Sequence, residues 1–271
     1  MQEASDILDL VSLTKARGEP FAIATVVRTV SVTAAKAGAK AVVLADGSIS
    51  AGWIGGGCAR GAVLRAASDA IRDGQPRLIS IQPEDLLDVQ QVKAGDVRDG
   101  VLYARNMCPS QGTMDVFVEP VLPRPHLAIL GASPVAAALA DIARRMVFFV
   151  TVCAPLADHA AFGTADRMVD GFELPTDGSQ HGFIVIATQG RGDSAALKAV
   201  LGTKSRYTGF VGSRKKFAAL RRDLEAAGLD VGAMDAIRSP AGLDLGSITP
   251  DEIAFSIVAE MIEIRRRGQR N

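Results

Sequence analysis

From His126 onwards, short apolar runs alternate with helical patterns, and this alternation constrains the fold more than any other feature of the chain. The runs are His126–Leu130, Val147–Cys153, Phe183–Ala187 and Tyr207–Val211, and the helical segments are 134–146, 194–201 and 214–227. Strands separated by helices predict a parallel sheet that is covered by helices on both faces. The second half of the chain is therefore predicted to be a doubly wound α/β domain.

The first half has a less regular pattern, which predicts a mixed α/β domain. Strand-type runs at Phe21–Val27, Lys40–Leu44, Arg77–Ile81 and Met114–Glu119 flank one long helical segment, 59–73, while residues 82–100 show weak periodicity. Pro120, Pro123 and Pro125 then follow within six residues. Three prolines so close together exclude a helix or a central strand, so we place a domain boundary there. The predicted domains are residues 1–122 and 125–271.

The composition excludes several classes of protein. Thirty basic residues balance thirty acidic ones among 271, which gives no electrostatic reason to expect a nucleic-acid partner. The start has no basic region followed by an apolar run, and no apolar stretch reaches the roughly 18 residues of a membrane span. Three cysteines do not make a disulfide framework. These features predict a cytoplasmic protein without an integral membrane segment.

A run of glycines ends in a cysteine at the predicted start of the helix 59–73. The run is Gly52-Trp53-Ile54-Gly55-Gly56-Gly57-Cys58. Glycines let a ligand approach main-chain N–H groups, and a thiol at a helix N-terminus is biased toward the reactive thiolate. The alternative is a tight turn followed by Cys58 as a small buried apolar residue. From the residues alone, both interpretations stay open.

A second cysteine, Cys108, lies in the turn-like segment Cys108–Gly112 of the same predicted domain. Two thiolates suit soft metals such as copper(I) or molybdenum, so Cys58 and Cys108 are a candidate metal-binding pair. Sequence does not show whether they lie close together. His126, His159 and His181 lack the spacing of zinc ligands.

The first strand-to-helix turn of the predicted doubly wound domain is Gly131-Ala132-Ser133-Pro134-Val135-Ala136. A dinucleotide site expects glycine at its first, third and sixth positions and an acidic residue about 20 residues later. Only Gly131 matches, and Cys153-Ala154-Pro155 stands near the place of the acid. Ser133 can still cap the next helix beside a phosphate. The pattern favours the fold more than it favours NAD.

Two later turns follow predicted strands and are candidate ligand loops. In Gly209–Lys216, Ser213 is placed to cap a helix whose first turn carries Arg214 and Lys215, where cations are unfavourable without a counter-anion. Solvated surface charges are the alternative. The segment Thr188–Asp193, which includes Gln189, follows the third strand and serves as a connector almost as well as a ligand site.

Three stretches in this order resemble the XdhC/CoxI family, whose members are accessory proteins that mature molybdenum hydroxylases. They are residues 52–58, Gly209–Lys216, and a third that runs Ser239-Pro240-Ala241-Gly242-Leu243-Asp244-Leu245-Gly246-Ser247-Ile248-Thr249-Pro250-Asp251-Glu252-Ile253-Ala254. The resemblance covers nearly the whole chain. Within the family, residues 188–193 and 108–112 are most similar to the branch that matures carbon monoxide dehydrogenase (the CoxF and CoxI type).

The resemblance implies a cysteine-bearing N-terminal domain, a Rossmann-like C-terminal domain and a homodimer. It implies binding of the molybdenum cofactor, in this branch as molybdopterin cytosine dinucleotide, and delivery to an apo hydroxylase such as the large subunit of carbon monoxide dehydrogenase, with a cysteine desulfurase as a further partner. Cys58 would then be a ligand or sulfur-handling thiol. The implied cofactor-binding residues are Gly55, Gly56, Gly57, Gly131, Ser133, Gln189, Gly212, Ser213, Arg214 and Asp244.

Two other hypotheses remain. One is an oxidoreductase that holds FAD or NAD(P) in the Rossmann-like domain and reduces a metal or sulfur centre; copper handling is also left open. The other is a docking chaperone that binds no small molecule. Whether the chain is an enzyme at all is not decided by its sequence.

Overall fold

The computed structural model describes residues 7–31, 33–109, 111–175 and 182–267, and for Cys58 it describes the backbone alone. The chain divides into two compact units, with Pro123 ending the first and Arg124 beginning the second. Each unit has its own sheet and its own apolar core. In the described part of the chain, no helix combines the length and the apolar character that crossing a membrane requires.

The N-terminal unit is a seven-stranded sheet in the order β3-β2-β1-β7-β4-β6-β5. Its strands pair antiparallel except for β4 and β6, which are parallel. Its elements are α1 (Ile7–Ala16), β1 (Phe21–Val30), β2 (Lys40–Leu44), β3 (Ile49–Gly52), α2 (Gly57–Asp73), β4 (Arg77–Gln82), α3 (Glu84–Val89), β5 (Val97–Arg98), β6 (Val101–Arg105) and β7 (Thr113–Val121). The predicted mixed α/β class is confirmed.

Helix α2 covers one face of this sheet and forms the core of the unit. Val63, Ala66, Ala67 and Ala70 are buried on the face it turns to the strands. Because three of these four side chains are alanine, the helix backbone can lie close to the sheet. Gly74 ends α2 in the left-handed conformation, and its amide donates to the Ala70 carbonyl.

Pro120 contradicts the expectation that the proline cluster excludes a central strand. It lies within β7, which runs between β1 and β4, and it pairs with Ala22 of β1. The pairing of β7 with β4 stops earlier, where Val118 faces Arg77. Pro120 therefore has a partner strand on one side, and a strand bordered on one side there tolerates a residue without an N–H.

The C-terminal unit is a six-stranded sheet in which every neighbouring pair is parallel, in the order β10-β9-β8-β11-β12-β13. Its elements are β8 (His126–Leu130), α4 (Pro134–Arg145), β9 (Phe149–Ala154), a 3₁₀ turn (Leu156–Ala161), β10 (Arg167–Asp170), β11 (Phe183–Ile186), α5 (Asp193–Val200), β12 (Tyr207–Phe210), α6 (Arg214–Ala226), a second 3₁₀ turn (Gly232–Ala236), β13 (Ile237–Arg238) and α7 (Pro250–Arg266).

Numbered within the unit, this strand order is 3-2-1-4-5-6, the order of the dinucleotide-binding Rossmann fold. One apolar cluster packs α4 and α7 against the sheet, and another packs α5 and α6 against it. The predicted doubly wound parallel sheet is confirmed. Because the order of connection reverses between β8 and β11, a crevice is expected at the carboxyl ends of these two strands.

Candidate functional site

The turn after β8 is pressed against the end of β11. Gly131 has φ +114°, and a Cβ on it would lie 2.6 Å from the Ala187 carbonyl oxygen and 2.7 Å from the Cα of Thr188. The Ser133 amide also donates to the Ala187 carbonyl, at 3.3 Å. Glycine is required here for the approach of two backbones, which is one of the roles of glycine in a dinucleotide turn.

The start of α4 is largely occupied by the chain itself. The Ser133 hydroxyl accepts the Ala136 amide at 3.1 Å, and Pro134, at the first helical position, has no N–H. Ser133 is therefore the cap that the sequence predicts. As a result, α4 offers a phosphate fewer first-turn amides than a glycine-rich turn does.

Asp193 organises the loop that follows β11. Its carboxylate accepts a hydrogen bond from the Thr188 hydroxyl and one from the Gly190 amide at 3.3 Å, and it pairs with the Lys216 ammonium at 2.7 Å. The residue is 7% exposed. Gln189, at the tip, is exposed and has φ +52°. The Asp193 carboxylate thus fixes the loop through its hydrogen bonds and links it to the first turn of α6 through Lys216.

The contacts of Asp193 predict a dependence of stability on pH. Burial opposes its ionisation, but hydrogen bonds from Lys216 and Thr188, with the charge of Lys216, hold the pKa of Asp193 below its usual value. A lowered pKa stabilises the fold at pH values above the unfolded-state pKa of about 4, and this contribution is lost as the pH falls below that value. Urea unfolding between pH 7 and 3 should show a smaller acid-induced loss in Asp193→Asn, with exposed Asp244→Asn as the control. An equal loss in both variants would contradict the assignment.

The first turn of α6 is the best candidate for binding an anion. Ser213 accepts the Lys216 amide at 3.2 Å, which confirms the predicted cap. The Lys216 side chain is used by Asp193, whereas Arg214 and Lys215 are exposed and form no ion pair with the residues that the structure describes. Two exposed cations stand at the positive end of the helix, where a bound phosphate would compensate them.

A buried carboxylate fixes the loop after β13. Glu260 of α7 is 4% exposed and accepts hydrogen bonds from the Tyr207 hydroxyl at 2.7 Å, Arg238 at 2.6 Å and the Gly242 amide at 2.8 Å. Burial and the neighbouring Glu260 raise the pKa of the Tyr207 hydroxyl well above its usual value. The predicted ligand residue Asp244 lies two residues beyond this anchor and is exposed.

Two side chains that sequence reasoning missed meet at the carboxyl ends of β9 and β11, where the ligand crevice of this fold is expected. Asp158 lies in the 3₁₀ turn after β9, and Arg191 lies in the loop after β11; their charged groups are 3.2 Å apart. Asp158 comes four residues after the end of β9, close to the place where the sequence showed Cys153-Ala154-Pro155 instead of an acid. The pairing joins residues 33 positions apart, so no local sequence signal could have indicated it.

Cys153 itself is excluded from ligand chemistry by its position. It is fully buried in the core between the sheet and α5, and burial raises the pKa of its thiol to about 11. A thiol with this pKa is protonated at neutral pH and is a poor nucleophile or metal ligand.

In the N-terminal unit, the glycine run leads into an open helix start. Ile54 is buried, Gly55 has φ +107°, and Gly56 caps α2 without a side-chain hydrogen bond. A Cβ on Gly56 or Gly57 would meet nothing within 4 Å. The first-turn amides of α2 are therefore approachable, as the sequence suggests, and Cys58 lies in that turn. The side chain of Cys58 lies outside the described part of the structure.

The Cys108 turn and the start of α2 lie at the same edge of the sheet, meaning the edge formed by the carboxyl ends of β4 and β6. β4 ends at this edge, where Ile81 faces Met114 of β7, and the turn joins β6 to β7. Since α2 precedes β4 and returns through a short connection, α2 also begins at this edge. Cys108 is exposed, and its amide donates to Asn106 at 2.9 Å. The pairing of Cys108 with Cys58 stays a prediction.

The part of the chain that the structure describes contains no preassembled cluster of metal-ligating side chains. Within residues 7–31, 33–109, 111–175 and 182–267, no group of three or more His, Cys, Asp or Glu side chains is arranged to hold a metal ion. His181 of the histidine set lies outside these residues.

Comparison with known families assigns both units. Residues 127–261 match the family description "XdhC Rossmann domain", and residues 14–82 match "XdhC and CoxI family". The two ranges together take in most of the chain, one in each unit.

Individual relatives share less than a third of their aligned residues with this chain. The chain is 28% identical to the uncharacterized protein YqeB of Escherichia coli over 264 residues, 92% of this chain and 44% of that protein. It is 28% identical to a probable xanthine dehydrogenase subunit of Bacillus subtilis over 167 residues, 57% of this chain and 47% of that protein. The chain thus spans less than half the length of these relatives. A solved structure described as a xanthine dehydrogenase from Bacillus halodurans superposes with a TM-score of 0.48 at 19% identity, over 97% of this chain and 96% of that one.

Proposed function

The chain belongs to the XdhC and CoxI family, and on that premise we propose that it is a cytoplasmic maturation factor for a molybdenum hydroxylase. It binds the molybdenum cofactor or assists its sulfur or metal modification, and then docks on the apo enzyme. The observation that carries this proposal is the open start of α2, where Gly56 and Gly57 leave the backbone accessible beside Cys58.

The start of α2 fits a soft, electron-rich ligand. Gly56 supplies no side-chain cap, so the first-turn amides have no internal acceptor from that residue. A thiol in the first turn lies in the positive field of the helix, which favours the thiolate. Bound cofactor would supply a dithiolene-held molybdenum centre, which is soft enough to meet a thiolate. In this assignment Gly55, Gly56 and Gly57 cradle the cofactor and Cys58 is its thiol.

The C-terminal unit fits the phosphate of a nucleotide tail. Arg214 and Lys215 stand exposed at the start of α6, and the amide end of that helix is capped by Ser213. Gly212 precedes the cap, and a Cβ on it would lie 2.4 Å from the Phe210 ring, so the turn has no room for a larger residue. Gly131, Ser133, Gln189 and Asp244 are proposed as further contacts. The nucleotide would be the cytosine dinucleotide form of the cofactor.

The partner is proposed to be carbon monoxide dehydrogenase. Support comes from the stretches Thr188–Asp193 and Cys108–Gly112, which are most similar to that branch of the family. Gln189, at the exposed tip of its loop, stands where the xanthine dehydrogenase branch is expected to carry histidine. A homodimer, a cysteine desulfurase as sulfur source and copper handling by Cys58 and Cys108 belong to the same proposal.

An oxidoreductase function is the second candidate, and the strand order 3-2-1-4-5-6 favours it, because that order is shared with FAD and NAD(P) enzymes. A spectrum, metal analysis and nucleotide release on the purified protein separate the two candidates. Molybdenum with released CMP supports the cofactor carrier. A flavin spectrum without molybdenum supports the oxidoreductase.

Cys58→Ser tests the maturation function directly. Serine is close in size and keeps a small polar group in the first turn of α2, so the fold should hold. Replacing a thiolate by a hydroxyl removes a soft ligand, and we expect hydroxylase activity to fall about tenfold or more when the variant replaces the wild type during co-expression. Activity and molybdenum content of the purified hydroxylase are the readouts.

Two variants control this experiment. Cys153→Ala removes a buried thiol that has no access to ligand and should leave maturation intact. Cys108→Ser should resemble Cys58→Ser if the two thiols act together, and the wild type if they do not. Full maturation with Cys58→Ser would refute the thiol role.

A further inference from the structure

The ion pair between Asp158 and Arg191 spans the switch point of the C-terminal sheet, where the ligand crevice of this fold is expected. Asp158 follows β9 and Arg191 follows β11, and these strands are the two neighbours of β8. Neighbouring strands are about 4.8 Å apart, so β9 and β11 are separated by about 10 Å. The ion pair bridges that distance over the carboxyl end of β8. The Gly131 turn lies at that end. A nucleotide entering the crevice in the manner of this fold must meet the pair.

Both partners are mounted on constrained backbone, while their contact is weak. A Cβ on Gly192, next to Arg191, would lie 2.5 Å from the Phe172 ring, and the adjoining Asp193 is buried and braced. On the other side, the His159 ring bonds to the Ala154 carbonyl at 2.8 Å. The Arg191 side chain is 68% exposed and the Asp158 side chain is 27% exposed, so water reaches the pair mainly on the Arg191 side. Exposed pairs of this kind contribute little and exchange partners readily.

We infer that Asp158 and Arg191 are the recognition pair for a nucleotide in this crevice, an assignment that rests on the proposed binding of a nucleotide tail. Arg191 exchanges the Asp158 carboxylate for a phosphate oxygen, because a guanidinium binds phosphate through charge-assisted, bidentate hydrogen bonds. The carboxylate that is released accepts hydrogen bonds from ribose hydroxyls. In the doubly wound fold, an acidic residue beyond the second strand has this task.

The assignment accounts for two departures from a glycine-rich dinucleotide turn. At the start of α4, the Ala136 amide donates to the Ser133 hydroxyl and Pro134 has no N–H, so few backbone donors remain for a pyrophosphate. Arg191 supplies the missing donors from the opposite wall. The missing acid at the end of β9 is supplied by Asp158, four residues later.

Binding of inorganic pyrophosphate, cytidine diphosphate and 2′,3′-dideoxycytidine diphosphate to the full-length protein, measured by calorimetry, tests both roles. Arg191→Gln should weaken all three ligands about tenfold or more, since each loses a charge-assisted bond. Asp158→Ala should tighten pyrophosphate up to about fivefold, because the competing carboxylate is gone. The wild type should prefer the ribonucleotide over its dideoxy analogue about tenfold, and Asp158→Ala should abolish that preference.

The matched control is Arg221→Gln, which breaks another ion pair of the same unit, with Asp235, away from the crevice. The assignment would be overturned if Arg191→Gln and Asp158→Ala both bound the three ligands with the same affinities as Arg221→Gln. It would also be overturned if Asp158→Ala kept the preference for the ribonucleotide, or if the wild type bound none of the three ligands. Adenosine diphosphate separates this result from the proposed function. If the same dependence appears with the adenine nucleotide alone, the recognition pair stands and the cytosine form of the cofactor falls.

Discussion

Glu260→Ala is expected to lower the free energy of unfolding of the C-terminal unit by about 3 kcal/mol. The substitution removes the acceptor of three hydrogen bonds at once. The Tyr207 hydroxyl and the Gly242 amide then lose the acceptor that they share, the hydroxyl in the core, and loss of a buried hydrogen-bond partner costs about 1–3 kcal/mol. Arg238 is half exposed and can recover water, so its share is smaller.

The position of the loss is as diagnostic as its size. Hydrogen exchange should accelerate in β12 and α7, the elements that the carboxylate joins, and urea unfolding followed by circular dichroism gives the free energy. Glu260→Gln, which keeps the shape and loses the charge, should lie between the wild type and Glu260→Ala. Glu263→Ala, one turn further along α7 and exposed, should change the unfolding free energy by less than about 0.5 kcal/mol. Equal effects at the two positions would refute the role of the network.

Gly131→Ala is expected to destabilise the same unit by about 2–6 kcal/mol. The added methyl group would lie 2.6 Å from the Ala187 carbonyl oxygen, which is backbone and cannot swing aside. Overpacking of this kind costs about 1–3 kcal/mol, and the φ of +114° adds backbone strain of about 1–3 kcal/mol for any residue with a Cβ. Relief requires β8 and β11 to separate at the crevice, so nucleotide binding should weaken as well.

Gly190→Ala is the matched control for Gly131→Ala. Gly190 has a similar positive φ of +95°, but a Cβ on it would meet nothing within 4 Å. It therefore carries the strain without the overlap, and the difference between the two variants in chemical denaturation isolates the close approach of the two backbones. Equal losses would mean that backbone strain alone makes glycine necessary at position 131.

The secondary structure was predictable where an apolar pattern repeats over a segment long enough to be recognised. The helices at 134–145 and 214–226 have caps, apolar stripes and terminators that are local signals, and Ser133 and Ser213 cap them as predicted. The short strands β10 and β13 have four and two residues, which is too few for a periodic signal. Their place in the sheet depends on pairing with β9 and β12, which is non-local.

The proline cluster and residues 82–100 show the same limit. Pro120 reads as a strand breaker, and its tolerance depends on where the pairing of β4 happens to end. Helix α3, at Glu84–Val89, has six residues, fewer than two turns, within a charged segment, so its apolar pattern is too brief to stand out. Strand β5 has two residues and is defined by its partner β6.

For the candidate site, sequence identified turns but not the bonds between them. Gly131, Gly212 and the cap Ser213 were found because glycine and cap residues have local signatures. The pairing of Asp193 with Lys216, and of Asp158 with Arg191, joins different loops and appears with the fold. Lys216 directly follows Arg214 and Lys215 in the sequence, yet its ammonium pairs with Asp193 whereas Arg214 and Lys215 are exposed.

Because Cys153 is buried, accessible thiol chemistry is confined to the N-terminal unit among the described residues. Cys153 is the one cysteine beyond Pro123, and its thiol is enclosed and protonated at neutral pH. A thiophilic metal, an oxidant or a persulfide in solution therefore finds no accessible thiol among the described residues of the C-terminal unit, and meets an exposed thiol in the N-terminal unit at Cys108. If the C-terminal unit binds phosphate as proposed, that binding should be insensitive to redox conditions that metallate or oxidise the thiols of the N-terminal unit.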